Sequence, residues 1–340
     1  MKKYHTIVVG GGPGGLACAT KLAKNGVEVL LLERNKTIGP KICAGGVTWS
    51  GLSQLIPAEI IERSFPEQHI KTKWQELTIR SPDPIICTVD RAKLGAWMAE
   101  KAQAAGVEIQ TQSPVIKISN DCVQTRNGPI GYKYLVGADG SSSMVRRFLG
   151  CPAKKLGVGI NVHIPQKSAR MEWHLDSDLF NTGYAWIFPH RHTVAVGAYA
   201  YRKDMAPKLL KKKFYLWAEK HAINLNNYTP AAALINFDYQ GFNFGNIFLV
   251  GDAAGLASGL TGEGIYPAII SGEAAARTIV DKKHRDERLI HLVKKHTMHT
   301  RVLELAGKNR TGCRLIMESL VFALKKRFIH FSALEMGDNL

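Results

Sequence analysis

The stretch Thr6-Ile7-Val8-Val9-Gly10-Gly11-Gly12-Pro13-Gly14-Gly15-Leu16-Ala17-Cys18 decides the fold. A short apolar run ends at a glycine turn and passes into residues with helical spacing through Leu22. Gly26 then reads as a helix stop and Val27 to Leu32 as a second buried strand. This is one βαβ unit. Gly10 permits the tight turn, Gly12 removes a Cβ where a pyrophosphate would approach, and Gly15 lets the helix sit against the strand. The exposed N–H groups and positive dipole end of that helix favour phosphate, and Glu33, closing the second strand, can accept hydrogen bonds from an adenosine ribose. The pattern predicts a bound dinucleotide without separating NAD from FAD.

Two later turns favour FAD. Leu135-Val136-Gly137-Ala138-Asp139-Gly140 ends a strand ahead of a helix containing Arg146 and Arg147, and Ile247 to Val250 leads into Gly251-Asp252-Ala253-Ala254-Gly255. Each puts a carboxylate at a strand end beside glycines, where it can hold ribityl hydroxyls. Thr261-Gly262-Glu263-Gly264-Ile265 then opens a helix whose N–H groups can face the pyrimidine edge of a flavin, where negative charge develops on reduction.

The rest of the chain is consistent with an enzyme. Its 340 residues carry 45 Lys plus Arg against 28 Asp plus Glu, a net charge of +17, with 45% hydrophobic residues, which excludes a disordered or collagen-like chain. That length predicts about two domains. Six cysteines without a CxxC pair indicate neither a structural zinc site nor a disulfide scaffold; no metal is predicted, and a reducing cytoplasmic setting fits. Met1-Lys2-Lys3 imitates the start of a signal peptide, but the apolar stretch behind it is short and runs into the glycine loop, so it reads as a first strand. No uncharged apolar run reaches the roughly 18 to 20 residues of a membrane-spanning helix. The positive charge implies an anionic partner, with a membrane surface on the cytoplasmic face expected and nucleic acid not.

The expected fold class is α/β: a Rossmann-like FAD-binding domain interleaved with an antiparallel β-sheet substrate domain and a C-terminal helical tail. Asp90 to Ala105 reads as helix, Val107 to Ile109 and Val115 to Ile118 as strands, and Arg126-Asn127-Gly128 as a hairpin turn before Tyr132 to Val136. From Leu156 to Tyr199 strands dominate, among them Ala169 to Leu175, Tyr184 to Phe188 and Thr193 to Tyr199. A basic helical stretch follows near Ala206 to His221, then the strand Ile247 to Val250 and a helix from about Gly264 to Val280. The division expected is residues 1–150 and 240–281 for the nucleotide, 151–239 with strands from about 66–88 for substrate, and a basic tail over 282–340. Within that tail, Lys282 to Arg327 holds thirteen Lys or Arg and four Asp or Glu, beside apolar positions with helical spacing. Tyr184, Trp186 and Phe188 alternate on one strand, so all three share a face and can line a channel for an apolar chain. His190 follows them and can hold a phosphate head group.

GGGPGG with Glu33-Arg34, the GADG turn, and GDAAG followed by LTGEGI resemble the FAD-dependent oxidoreductases related to aromatic hydroxylases. Within that group the chain most resembles the geranylgeranyl reductase family. The narrower likeness rests on Pro40-Lys41-Ile42-Cys43-Ala44-Gly45-Gly46, similar to the KxCxGG segment, and Tyr184-Ala185-Trp186-Ile187-Phe188-Pro189, similar to YxWxFP, and covers residues 1–280. The resemblance implies Gly14 and Gly15 at the pyrophosphate, Glu33 at the ribose, Arg34 among the cofactor-binding residues, and Cys43, Ala44 and Gly46 around the flavin. It further implies Arg91 at the phosphates, Val115 at the adenine through its backbone, and Asp252, Gly264 and Ile265 at the ribityl and ring. The chain departs from the family at Ser258-Gly259, where an Asp-Pro is common, and at His190, where Lys is common. The resemblance implies reduction of C=C bonds in a polyprenyl or similarly apolar substrate by flavin hydride transfer. NADPH or ferredoxin would be the transiently bound electron donor, and Cys43 and Tyr184 are candidates to supply the proton. The alternatives are a flavin-dependent monooxygenase or halogenase, and an FAD-containing RNA- or membrane-binding protein.

Overall fold

The computed structural model describes residues 1–49 and 56–337. Its first sheet is built around β1 (Lys3–Val9), which pairs in parallel with β2 (Val29–Leu32) on one side and β11 (Gly128–Gly137) on the other. Because β1 is central and covered on both faces, Ile7, Val8 and Val9 are all buried and the run does not alternate. The sheet extends through β8 (Glu108–Gln110) beyond β2 and through β18 (Ile247–Leu249) beyond β11, so the chain returns to it late. The small strands β9 (Lys117–Ile118), β10 (Cys122–Thr125) and β17 (Asn243–Phe244) complete it. The turn at Asn127-Gly128 joins β10 to β11 as a hairpin, with Gly128 at φ +112°. The strand expected over Val115 to Ile118 shrinks to two residues, and that over Val107 to Ile109 is shifted by one.

Helix α1 (Pro13–Ala23) and helix α6 (Ile265–Val280) lie against this sheet and against each other. Their contact is made of glycine: a Cβ on Gly272 would run into the carbonyl oxygen of Gly14. The interleaved α2 (Arg91–Ala104) starts with Asp90 accepting from the amides of Ala92 and Lys93, and α3 (Met144–Phe148) follows the second glycine turn.

The second sheet runs in the order β16 (Ala231–Asn236), β12 (Leu156–Ile164), β15 (Val194–Tyr201), β14 (Tyr184–Pro189), β13 (Glu172–His174), β5 (Glu67–Lys71), β6 (Glu76–Arg80). All pairs are antiparallel except β13 with β5. The strand expected over Ala169 to Leu175 is three residues long, confined to the stretch that meets β5 in register Trp173↔Ile70. Helices α4 (Ser177–Phe180) and α5 (Pro207–Lys220) cover the outer face, where Phe180, Phe214 and Trp217 are fully buried. A third sheet of β3 (Gly46–Thr48), β7 (Ile86–Val89) and β4 (Ile61–Phe65) bridges the other two and has no counterpart in the expected organisation.

The tail forms two helices, α7 (Glu287–Ala306) and α8 (Arg310–Lys325), but not a solvated appendage. Leu289, Leu292, Leu303, Met317, Val321 and Leu324 are buried. Glu318 of α8 accepts from the Thr72 hydroxyl, the Trp74 amide and the Gln75 side chain, pinning the helix to the β5–β6 hairpin. Among the described residues no helix is long and apolar enough to cross a membrane.

Two outcomes follow for stability. Gly272→Ala gains about 1 kcal/mol of helix propensity but forces α1 and α6 apart against backbone, an overpacking cost of about 1–3 kcal/mol or more. Urea unfolding should show a net loss and weaker retention of bound nucleotide. His296 of α7 is buried and its imidazole is pushed down to about 4, by burial first and then by His299. A group with a depressed folded value binds its proton more readily when unfolded. Its stabilising effect is therefore complete above pH ~6.5 and falls by up to about 3 kcal/mol as pH drops toward 4. His296→Gln should flatten that part of the stability-versus-pH curve.

Candidate active site

A single cavity of about 790 Å³ opens between the first and second sheets and reaches the tail. Its polar end is the glycine turn. Gly10 adopts φ +107° and lies so close to the strand end after β11 that a Cβ would strike the Ala138 carbonyl. At Gly12 a Cβ would meet nothing within 4 Å, leaving open space above the α1 N-terminus. Glu33 is fixed by the amides of Gly11 (2.7 Å) and Asn35 (2.8 Å), one to each carboxylate oxygen, which leaves one lone pair per oxygen for a ribose. Arg91 lines the same end with its Nε and Nη1 buried and without a hydrogen-bond partner. Buried guanidinium donors left unpaired are costly, and a pyrophosphate is the kind of anion that satisfies them. The residues present therefore fit an FAD, with the open glycine cradle and Arg91 toward its phosphates.

The two later turns close the cavity on the opposite side. Asp252 accepts from Lys41 Nζ (3.1 Å) and Ser141 Oγ (3.1 Å). Gly264 caps α6 and turns that helix's N-terminus toward the cavity. Asp139, expected near ribityl hydroxyls, lines the cavity: one oxygen caps α3 through the amides of Met144 (2.6 Å) and Val145 (3.3 Å), and the other is buried without a partner. Burial raises its carboxyl above the ordinary range in spite of these donors.

Toward the second sheet the cavity becomes apolar. Tyr184, Trp186 and Phe188 of β14 share one face with Trp173 of β13, with Trp173 to Phe188 ring centroids 4.8 Å apart in an edge-to-face arrangement. Leu175, Ile70, Met317, Leu320, Phe331 and Leu334 continue this lining, the last four contributed by the tail. Tyr184 and Tyr199 donate their hydroxyls to the carbonyls of Thr261 and Gly259, so the turn ahead of α6 hangs from the second sheet. Burial drives both phenols far above their ordinary values, and they stay neutral. Tyr184 therefore suits positioning better than proton supply.

Of the residues expected at the site, Gly10, Gly12, Gly14, Glu33 and Arg34 line this one cavity, as do Cys43, Ala44, Gly46, Arg91 and Val115. Asp252, Gly264, Ile265 and the three aromatic residues of β14 do the same. Two expected residues lie outside it. Gly15 faces the Gly10 carbonyl and Ala138, where it seats the helix. His190, expected at a substrate head group, is turned inward: Nδ1 meets Glu62 at 2.7 Å and Nε2 meets the Ala44 carbonyl at 2.9 Å, bracing the loop that carries Cys43. Cys43 Sγ accepts from the Gly45 amide (3.3 Å), and its carbonyl accepts from Asn161 Nδ2 (3.1 Å); Asn161 in turn accepts from the Trp186 indole (3.2 Å). Asn161, Trp173, Met317, Phe331 and Leu334 were not singled out in the sequence; only the alternation of β12 could have pointed to Asn161.

The family described as FAD binding domain matches residues 3–196. The chain belongs to that family and is an FAD-dependent oxidoreductase of the geranylgeranyl reductase type. It is 28% identical over 311 residues to a digeranylgeranylglycerophospholipid reductase of Methanocaldococcus jannaschii, covering 81% of this chain and 78% of that protein. It is also 28% identical over 306 residues to a geranylgeranyl diphosphate reductase of Rhodobacter capsulatus, with 81% and 74% covered. A solved geranylgeranyl bacteriochlorophyll reductase-like protein of Thermoplasma acidophilum superposes with a TM-score of 0.83 at 21% identity, covering 98% of this chain and 95% of that one. A probable FAD-dependent monooxygenase of Pseudomonas aeruginosa shares the fold at TM-score 0.70 and 17% identity, with 94% and 100% covered.

Arg91→Gln removes the unpaired guanidinium while keeping most of the side-chain volume. FAD affinity should fall about 10- to 100-fold, the worth of a charge-assisted phosphate contact. The apoprotein should melt no lower than wild type. Flavin titration by fluorescence quenching, paired with thermal unfolding of the apoprotein, checks both.

Proposed function

We propose that this protein saturates C=C bonds of a prenyl chain, residues 1–150 and 240–281 holding FAD and residues 151–239 with strands near 66–88 shaping the substrate space. The observation that carries this reading is the continuity of one cavity: the dinucleotide cradle runs without a partition into an apolar arm walled by Trp173, Trp186, Phe188, Leu320 and Phe331. Bound FAD, once reduced, supplies hydride. The chain's own contribution is to exclude water from the apolar arm, to hold an unpolarised alkene against the ring, and to keep the loop of Cys43 in place through Asn161 and His190. The names of the reductases similar to this chain support a prenyl substrate. The glycine fingerprint at residues 10–15 is assigned to FAD, so NADPH or ferredoxin would dock only transiently.

Contact with an anionic membrane surface on the cytoplasmic face belongs to the same reading. Leu315 and Phe322 of α8 are exposed, and Phe328 just past it is 75% exposed, beside exposed Lys325, Lys326 and Arg327. The apolar arm is lined by the same helix, so a lipid taken from the surface has a short path inward.

Anaerobic mixing of the photoreduced protein with geranylgeranyl diphosphate, and separately with a digeranylgeranyl phospholipid in vesicles, should reoxidise the flavin and add one H₂ per saturated bond by mass spectrometry. Reoxidation that waits for air and leaves oxygen in the product would replace this reading by a monooxygenase. Salt-sensitive RNA binding with no substrate-dependent reoxidation would replace it by a flavin-containing binding protein.

A further inference from the structure

Saturating an alkene takes a proton as well as a hydride, and the residues considered so far supply none convincingly. Tyr184 commits its hydroxyl hydrogen to the Thr261 carbonyl. Cys43 lies in the loop before β3, its sulfur facing the Gly45 amide. A third acidic group lines the same cavity: Glu263, in the turn that Tyr184 and Tyr199 suspend and one residue before the α6 N-cap.

The carboxyl of Glu263 is held at both oxygens by neutral donors from distant parts of the chain. Thr48 Oγ1 of β3 donates to Oε1 (2.9 Å), and the Met336 amide donates to Oε2 (2.9 Å). The segment carrying Met336 is itself tied down. Lys295 Nζ reaches the carbonyls of Ser332 (3.4 Å), Glu335 (3.2 Å) and Gly337 (2.8 Å), and His299 Nε2 donates to the Ala333 carbonyl (3.0 Å). Through Nδ1, His299 accepts from Ser258 in the same turn as Glu263 (2.9 Å). Turn, tail segment and β3 thus form one frame around a single carboxyl at the cavity wall.

Resting on the reductase reading, we propose that Glu263 is the general acid that protonates the alkene. The two electrons of the hydride come from reduced flavin, which is oxidised as the alkene is reduced. The Glu263 O–H bond breaks, and its proton forms the C–H bond at the carbon that does not receive hydride. The carboxylate left behind keeps its two hydrogen bonds from Thr48 and Met336 until water returns the proton.

The electrostatics agree with that role. Burial pushes the Glu263 carboxyl up to about 7 against the lowering effect of the Met336 amide and Thr48 hydroxyl; of the charged groups facing it, Glu335 on the tail segment raises it and Lys295 on α7 lowers it. Tyr184 on β14 also faces it and feels its charge. A carboxyl in that range can both give up a proton to a weak base and regain it from water near neutral pH.

The test compares wild type with Glu263→Gln and Glu263→Asp, each loaded with FAD and photoreduced without air, then mixed with geranylgeraniol. Flavin uptake and photoreduction should match wild type in both. Reoxidation by the alkene should slow about 10²- to 10⁴-fold in Glu263→Gln, the usual worth of a general acid, and recover in part in Glu263→Asp. The wild-type rate should fall as pH rises through about 7, where the acid ionises, and the Gln variant should lose that dependence. As a second readout, infrared difference spectra of the FAD-loaded, substrate-free protein should show a protonated carboxyl band titrating near neutrality in wild type and missing from Glu263→Gln. An unchanged rate and pH profile in Glu263→Gln overturns the proposal. If wild type itself is not reoxidised by any prenyl substrate, the reductase reading falls separately, and a Glu263 carboxyl already ionised at pH 5 in the infrared titration overturns the proposal independently.

Discussion

The close approach of α1 and α6 is the constraint on which the site depends. Gly14 and Gly272 let backbone meet backbone, so the N-termini of an 11-residue and a 16-residue helix open onto one cavity. Two positive dipole ends converge there from different parts of the chain, an arrangement that favours negative charge on a ligand held between them. Larger side chains at that contact would separate the two ends, and neither helix could then serve the same ligand. The glycine turn at Gly10 does the complementary work on the sheet, bringing β1 against the strand end at Ala138.

The cavity is more acidic than the protein as a whole. Against a net charge of +17, its walls carry Glu33, Asp139, Asp252, Glu263 and Glu335, facing Arg34, Lys41, Arg91 and Arg147. The surplus positive charge lies outside, much of it on α5, α7 and α8. Such a split leaves the outer surface able to attract anionic partners while the cavity walls are close to charge balance.

Much of the architecture was legible because it is written locally. The glycine turns mark strand-to-helix junctions by backbone need alone, and the alternation Tyr184, Trp186, Phe188 states which side of β14 is the cavity side. What escaped is what long-range pairing decides. The parallel match of β13 with β5 joins residues about a hundred positions apart, and no local pattern announces it. His190 was expected at a phosphate head group, but the Ala44 carbonyl and Glu62 hold it inward from other segments. Glu263 stood inside a quoted motif, yet its importance came only from the tail folding back to give it the Met336 amide. The basic tail itself read as surface because its apolar positions are outnumbered, and its partner, the β5–β6 hairpin, lies more than two hundred residues upstream.

The late return of β18 to the first sheet has a consequence for how the molecule comes into being. β11 ends at Gly137 and its parallel neighbour β18 begins at Ile247, with most of the second sheet spelled out between them. During synthesis on the ribosome the nucleotide-binding half must wait, one edge uncovered, until that whole insertion has emerged. Such delayed closure makes for slow maturation and a window of aggregation risk, which early cofactor capture would shorten.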